Sequence, residues 1–273
     1  MKIGARENLE GTQSIERAVS LMRILATRAR FGWTLSELAA AAGLKKATAH
    51  RILARLEHER LVYKRGSGDR YFLGAMLGEL SLCIPGFHDY ATQARELVLE
   101  LARKLSLVTV LSLRSGEYFV VGARVASRQI RSKVNEEGSY RPLFSTAGGI
   151  AILLTLPEAE QGDIIDANIR DMTLGGRTRI SDCHAIWERS RKLGIGANFG
   201  DIAPGTNSIA VGFGDTGHGA IGSLTVAGLD THLDEAGCLA LVPLLQGEGT
   251  RLAEMAAQVH PGLYTEPQKK SEL

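Results

Sequence analysis

Cysteine, long apolar runs and repeated segments are what this 273-residue sequence has little of. Three cysteines, Cys83, Cys183 and Cys238, cannot build a disulfide framework and point to a reducing compartment. The opening stretch MKIGARENLE holds no apolar core of the kind a secretory signal needs. The longest uncharged apolar run, Pro142 to Pro157, is too short to span a bilayer and is closed by proline at both ends. No internal repeat or low-complexity tract occurs. These absences exclude collagen-like, disordered and membrane-inserted chains, and predict a soluble cytoplasmic protein with no membrane partner. What is present is 44% hydrophobic and 23% charged residues, enough for one large or two modest cores.

Charge is unevenly spread. Residues 1–90 carry 14 Lys and Arg against 9 Asp and Glu, whereas residues 91–273 carry 18 against 21. A basic first third on an acidic remainder suggests two domains with different partners, the first a polyanion.

The basic third has a helical rhythm. Ile15, Ala18, Val19, Met22 and Ala26 recur as one face of an amphipathic helix that ends in the Arg28–Gly32 region. Thr34-Leu-Ser-Glu37 fits a capping box and opens a short helix from Leu35 to Ala42, stopped at Gly43. A third helix is expected from about Lys45 to Glu59. Its Ala49, Ile52, Leu53 and Leu56 fall on one side, while Ala47, His50, Arg51, Ala54, Arg55 and His58 fall on the other. Small alanines beside long polar side chains let a helix approach a DNA groove closely, and Lys45, Lys46 and Thr48 occupy the first turn, where such a helix touches DNA. Two strand-like runs, Leu61–Arg65 and Arg70–Leu73, flank a glycine-rich tip. That hairpin is a wing, with Lys64, Arg65 and Arg70 placed for phosphates. A charged helix face is by itself an ordinary solvated surface. The order of cap, turn, helix and hairpin makes it a winged helix-turn-helix that binds double-stranded DNA.

The segments Ser14-Ile-Glu-Arg-Ala18, Leu35-Ser-Glu-Leu-Ala39, Lys46-Ala-Thr-Ala-His-Arg-Ile-Leu53 and Arg70-Tyr-Phe-Leu-Gly74 closely resemble the IclR family of bacterial transcriptional regulators. The resemblance runs over nearly the whole chain. The family commonly has proline and serine where this chain has Lys45 and Ala47. A serine hydroxyl contact is thereby lost and a lysine gained, which bears on the operator sequence.

Beyond Leu73, Ala75–Cys83 has helical composition and Pro85-Gly86 breaks it, marking a boundary near 75–90. A helix from Tyr90 to Ser106 precedes a hairpin of Val108–Leu113 and Tyr118–Val125. Pro142–Leu156 reads as a loop entering an apolar helix, Ala185–Leu193 as a helix with Trp187 inward, and Ile209–Phe213 and Ile221–Ala227 as strands. The fold class is α+β: a winged helix-turn-helix over 1–74, a helical linker over 75–90, and an α+β domain with an antiparallel sheet over 91–273. The resemblance implies that this last domain is GAF-like, binds a small organic effector and helps assemble a homodimer or homotetramer.

Two glycine- and hydroxyl-bearing loops, 138–149 and 198–208, read on spacing alone as surface turns. The resemblance instead sets them beside an effector pocket, faced by Ala147, Gly148, Asn198, Thr206, Ser208, Thr225 and Ala227. Where the family usually has histidine, lysine and an acidic residue, this chain has Phe144, Ile150 and Asn198. Those departures imply a less charged, more apolar pocket, suited to an aromatic or neutral effector.

Enzyme motifs fare poorly. Gly212-Phe-Gly-Asp-Thr-Gly217 matches a dinucleotide fingerprint, but a strand follows where a helix is needed, so a hairpin turn explains it better. Cys183-His184 has no second metal-binding pair, no H-x-x-x-H or G-x-S-x-G occurs, and Glu136-Glu137 read as solvated charges. No catalytic residue, metal or cofactor is assigned. A metabolic enzyme using the C-terminal cleft and a winged-helix protein-interaction module remain the competing readings.

Overall fold

The structure, a computed structural model, describes residues 12–65, 69–125, 136–175, 180–215 and 219–259. The chain divides at residues 85 and 86 into two compact units, with 138–140 grouped with the first.

The first unit packs helices α1 (Gln13–Ala26), α2 (Leu35–Ala41) and α3 (Lys46–His58) against strands β1 (Trp33–Thr34), β2 (Val62–Arg65) and β3 (Arg70–Leu73), in sheet order β1-β3-β2. The predicted capping box is present: Thr34 Oγ1 accepts from the Glu37 N–H at 3.3 Å, and the Glu37 carboxylate accepts from the Thr34 N–H at 2.8 Å. The core joins Leu21, Ile24, Leu25, Leu38, Leu53, Leu56, Val62 and Tyr71. The inward face of α1 overlaps the predicted stripe only in part: Ala18 and Met22 pack partly buried against this core, whereas Ile15 is 64% exposed and the fully buried positions are Leu21, Ile24 and Leu25. Periodicity gives a face but not its rotation, which packing against α3 and β3 sets. Strand β1 is too short to show an alternation, and pairing with β3 alone defines it. The wing tip, Gly66–Gly68, lies outside the described residues. Helix α4 (Ala75–Leu82) closes the unit with no buried residue.

The second unit is built on strands β4 (Val108–Ser115), β5 (Tyr118–Val125), β6 (Tyr140–Pro142), β7 (Gly196–Phe199), β8 (Thr206–Asp215) and β9 (Gly219–Leu229). Their order is β6-β5-β4-β9-β8-β7, antiparallel at every pairing from β5 to β7. Helices α5 (Phe87–Leu105) and α10 (Val242–Val259) pack on one face. Helix α6 (Ala147–Leu153), entered through a 3-10 turn at Leu143–Ser145, lies on the other with α7 (Glu158–Gly175) and α8 (Ile180–Leu193). A short α9 (Glu235–Ala240) precedes α10. Helix α10 carries Gly247 and Gly249 in its interior, which lower its intrinsic propensity. Burial of Leu245, Leu252 and Ala256 against the sheet outweighs that penalty. Of the fingerprint-like glycine run, Gly212–Asp215 belong to β8, whose pairing with β9 continues to Asp215 and Gly219, and Thr216 and Gly217 lie outside the described residues.

Candidate DNA-reading face and ligand cavity

Helix α3 splits as its sequence requires. Ala49, Leu53 and Leu56 are buried in the core, while Ala47, His50, Arg51, Ala54, Arg55 and His58 are exposed. Lys45 and Lys46 are exposed at its N-terminal end and Thr48 is half-buried. Arg55 forms an ion pair with Glu59 one turn later. On the wing, Lys64 Nζ lies 2.7 Å from the Asp69 carboxylate, an exposed pair that raises the lysine pKa and lowers that of the aspartate. Arg65 is exposed at the end of β2.

Arg70 is placed differently from these. Its guanidinium donates to the Gly32 carbonyl at 3.1 Å and stands 3.7 Å from the Glu37 carboxylate, so it ties β3 to the turn before β1. Arg28 lies 3.8 Å above the Trp33 ring in the same region. Of the nine predicted DNA-contacting residues, Lys46, Thr48, His50, Arg51 and Arg55 share α3 with Lys45 just before its first turn, Lys64 and Arg65 lie on the first wing strand, and Arg70 is held by the fold.

In the second unit a cavity of about 90 Å³ opens between the sheet and α6. All seven positions drawn from the family resemblance line it. Ala147 and Gly148 come from α6, Asn198 from β7, Thr206 and Ser208 from β8, and Thr225 and Ala227 from β9. Val108 and Val110 of β4 form an apolar floor, and Thr146, Ile202 and Ala203 complete the wall with Arg124. Gly148 is required by close approach, since a Cβ there would sit 2.8 Å from Thr225 Oγ1. Gly149 serves the chain instead, with its Cβ position blocked by the Leu143 carbonyl at 2.1 Å.

Polar groups of the site are partly engaged by the fold. Thr146 Oγ1 accepts from the Gly149 N–H at 3.1 Å, capping α6, and Asn198 Oδ1 accepts from the Ile202 N–H at 3.2 Å. Thr225 is only 7% exposed, and its Oγ1 has no hydrogen-bond partner among the described residues. A buried hydroxyl without a partner is unfavourable by itself and suits a site that a ligand completes.

Two of the three departures from the family pattern lie away from the cavity. Phe144 is fully buried and meets His184 edge-on at 5.1 Å and Trp187 at 6.3 Å. Ile150 is fully buried in the same core. The expectation that these residues make the pocket more apolar is therefore corrected: they fill the core beneath α6. Only Asn198 faces the cavity.

Sequence reasoning passed over Arg124, and a bulge explains why. Ser112 pairs with Val121 but Leu111 pairs with Ala123, so Gly122 is an extra residue in β5. Phe119 and Val121 share the core on the α6 side, whereas Ala123 joins the core on the α5 side. Strict alternation counted from Phe119 and Val121 would put Arg124 on the α5 side and Ala123 on the α6 side. The bulge resets the phase, and Arg124 stands opposite Val110 with both lining the cavity.

Two of the three cysteines are buried. Burial pushes the Cys183 thiol up to about 11 and the Cys238 thiol up to about 12, while Cys83 is exposed. Among the described residues no cluster of His, Cys, Asp and Glu could hold a metal ion, and no helix is long and apolar enough to cross a membrane.

A winged helix-turn-helix with a basic outward helix face, followed by an α+β unit around a small cavity, defines the class as a two-unit DNA-binding protein. The family follows from direct comparison. Residues 14–66 match the IclR helix-turn-helix domain, and residues 87–252 match the bacterial transcriptional regulator IclR C-terminal domain. The chain belongs to the IclR family and is a DNA-binding transcriptional regulator, in a family of regulators and not of enzymes. The glycerol operon regulatory protein of Streptomyces griseus is 29% identical over 217 residues, covering 79% of this chain and 84% of the relative. The solved structure of an IclR transcriptional regulator from Silicibacter sp. TM1040 shares the fold with a TM-score of 0.70 at 20% identity, covering 93% of this chain and 100% of that one. An IclR homologue from Microbacterium hydrocarbonoxydans, solved in complex with 4-hydroxybenzoate, has a TM-score of 0.59 at 16% identity, covering 90% of this chain and 99% of that one.

Proposed function

We propose that this regulator binds a pseudo-palindromic operator as a homodimer or homotetramer, and that a small organic acid or aromatic metabolite in the cavity controls its operator affinity. Residues 1–74 bind DNA, 75–90 link, and 91–273 bind the effector and assemble subunits. Lys45, Lys46, Thr48, His50, Arg51 and Arg55 meet the major groove, and Lys64 and Arg65 follow the phosphates of the flanking backbone. Arg70 reaches DNA only by leaving its contacts with Gly32 and Glu37, so it acts first as a support for the wing.

The observation that carries the effector reading is the convergence of Ala147, Gly148, Asn198, Thr206, Ser208, Thr225 and Ala227, spread over 81 positions of sequence, on one cavity. The Microbacterium homologue's complex with 4-hydroxybenzoate is a precedent for a small hydroxylated acid in the family. For such a ligand to regulate, it must bind two arrangements of the DNA-reading units with different affinities.

The test is titration of the purified protein against a fluorescent duplex carrying its own gene's upstream region, at two salt concentrations, with and without candidate acids. Tight binding above a scrambled duplex, weakened steeply by salt and altered by one of the acids, is the expected result. No preference and no salt dependence with folded protein would sink the DNA reading. Operator binding indifferent to every cavity ligand would sink the effector reading.

A further inference from the structure

Arg60 stands where the DNA-reading helix ends and the way out of the first unit begins. Its backbone is left-handed, with φ of +59°, and its N–H closes the last turn of α3 on the Glu57 carbonyl at 2.9 Å. The Leu61 N–H completes the stop on the Leu56 carbonyl, also at 2.9 Å. That backbone region is unfavourable for a residue with a side chain, so the bonds around Arg60 hold it there. The same two residues then receive α4. The Gly74 N–H donates to the Leu61 carbonyl at 2.8 Å, the Met76 N–H donates to the Arg60 carbonyl at 3.3 Å, and the Arg60 guanidinium forms an ion pair with Glu79. Gly74 is required by this approach, since a Cβ there would stand 2.0 Å from the Arg60 carbonyl oxygen. Its φ of −90° is open to any residue, so closeness and not conformation demands the glycine.

None of the eight residues of α4 is buried, so no packed face sets its direction. The chain nevertheless passes from the first unit to the second through α4 and residues 83–86. We propose that Arg60, Gly74 and Glu79 are positioning residues that join α3 and α4 into one stiff elbow, and that this elbow fixes the half-site spacing the protein accepts. The proposal goes beyond the reading of the protein as a homodimer or homotetramer on a pseudo-palindromic operator, and rests on it. Arg60 is then a cation of the DNA-reading unit that serves the fold, its guanidinium engaged by Glu79 and not by a phosphate.

The division of labour follows from where each bond lies. The two backbone hydrogen bonds and the close approach at Gly74 fix where α4 starts. Glu79 lies one turn further along, so its pair with Arg60 fixes where α4 points. With side-chain exposures of 63% and 48% that pair adds little to stability, and its loss changes alignment while leaving the unit folded. Alignment matters because two recognition helices in successive major grooves stand about 34–36 Å apart. One extra base pair between half-sites moves the second groove by roughly 3.4 Å and turns it by roughly 35°. Heads on stiff elbows cannot follow that change, and heads on hinged ones can.

The experiment is fluorescence-anisotropy titration of the full chain with duplexes built on the stretch of its own gene's upstream region that it protects from nuclease. One duplex keeps the natural half-site spacing, others add or remove one or two base pairs between half-sites, and one carries a single half-site. Wild type should bind the natural spacing at least about tenfold tighter than the altered ones, because avidity is lost when both heads cannot engage. Glu79→Gln and Gly74→Ala should each flatten that preference at least about threefold and leave single-half-site affinity unchanged. The reversed pair, Arg60→Glu with Glu79→Arg, should restore it, which a merely structural role would not. Should Gly74→Ala fail to fold, the Glu79 variant and the reversed pair decide. A spacing preference equal to wild type in the folded variants would overturn the elbow and leave the operator reading standing. Weaker single-half-site binding in Arg60→Gln, with the salt slope lower by about 1 and the spacing preference kept, would make Arg60 a phosphate contact instead. Wild type binding a single half-site as tightly as the pair would sink the pseudo-palindromic reading and the elbow with it.

Discussion

Arg189 grips Asp201 with two hydrogen bonds, Nη1 to Oδ2 at 2.6 Å and Nη2 to Oδ1 at 3.2 Å. The same carboxylate accepts from the Phe199 N–H at 3.1 Å, so one aspartate fastens the segment after β7 to α8. That segment supplies Ile202 and Ala203 to the cavity wall. Burial raises the Asp201 pKa, but the bonds from Arg189 and Phe199 outweigh it and hold the carboxyl below its ordinary value.

Asp201→Asn should therefore lower stability by about 1.5–3 kcal/mol, the range for a hydrogen bond to a charged group, in urea denaturation. Hydrogen exchange at the Phe199 and Ile202 amides should quicken in the variant. Because the folded pKa is depressed, the pair's contribution is fully present above the aspartate's unfolded value and is lost as pH falls through the folded one. Stability that did not differ between wild type and variant at neutral pH would show that the pair contributes nothing.

A second acid-sensitive group is Glu37 in the capping box. Its pKa is lowered first by the Thr34 backbone N–H, then by the Thr34 hydroxyl, with Arg70 and Arg28 adding to the effect. Its contribution likewise persists above the glutamate's unfolded value and fades as pH falls through the folded one. Thr34→Ala should destabilise the first unit by about 0.5–2 kcal/mol, read as a lowered thermal midpoint. The same shift for Thr34→Ala and Thr34→Ser would refute the capping role, since serine keeps the hydroxyl.

Gly32 joins α1 to β1 with φ of +62°, and a Cβ there would come within 2.6 Å of the Phe72 ring. Gly32→Ala meets both an unfavourable backbone region and a packed ring. It should cost more than about 1 kcal/mol and disturb the wing, while leaving ligand binding in the second unit intact. A variant as stable as wild type would mean that Phe72 moves aside without penalty.

The DNA-reading face gives a contrast between two cations. Arg51 lies exposed on the outer side of α3, and Arg51→Ala should cost about 1–3 kcal/mol and change sequence preference. Lys64 is held by Asp69 at 2.7 Å and must exchange that partner for a phosphate. Lys64→Ala should weaken all sequences alike and reduce the salt slope by about 1. Competition binding with specific and scrambled duplexes separates the two outcomes.

Much of the first unit was legible because its signals are local. Thr34 and Glu37 sit three residues apart and cap each other, Gly43 follows the end of α2, and the buried side of α3 repeats with the helical period. The same is true of the hairpins flanking Gly116 and linking β8 to β9. The seven cavity positions came from likeness to a family: five lie in loops whose own spacing read only as turns, and Thr225 and Ala227 in a segment that read only as a strand. What stayed hidden was non-local: β1 has two residues and exists through its pairing with β3, and α10 overcomes its glycines by packing on the sheet.

Local pattern was enough to specify the winged helix-turn-helix, the α+β class of the second unit, and the charge contrast between the two. Composition, periodicity and caps act over a few residues and survive without a tertiary partner. Which cation faces the cavity was set by strand pairing instead. The phase of a strand depends on how each residue pairs with its neighbour, and one unpaired residue at Gly122 reverses everything after it. Tertiary packing decided that Phe144 and Ile150 fill a core while Asn198 meets the ligand space, because an apolar residue and a pocket residue differ only in what lies opposite them.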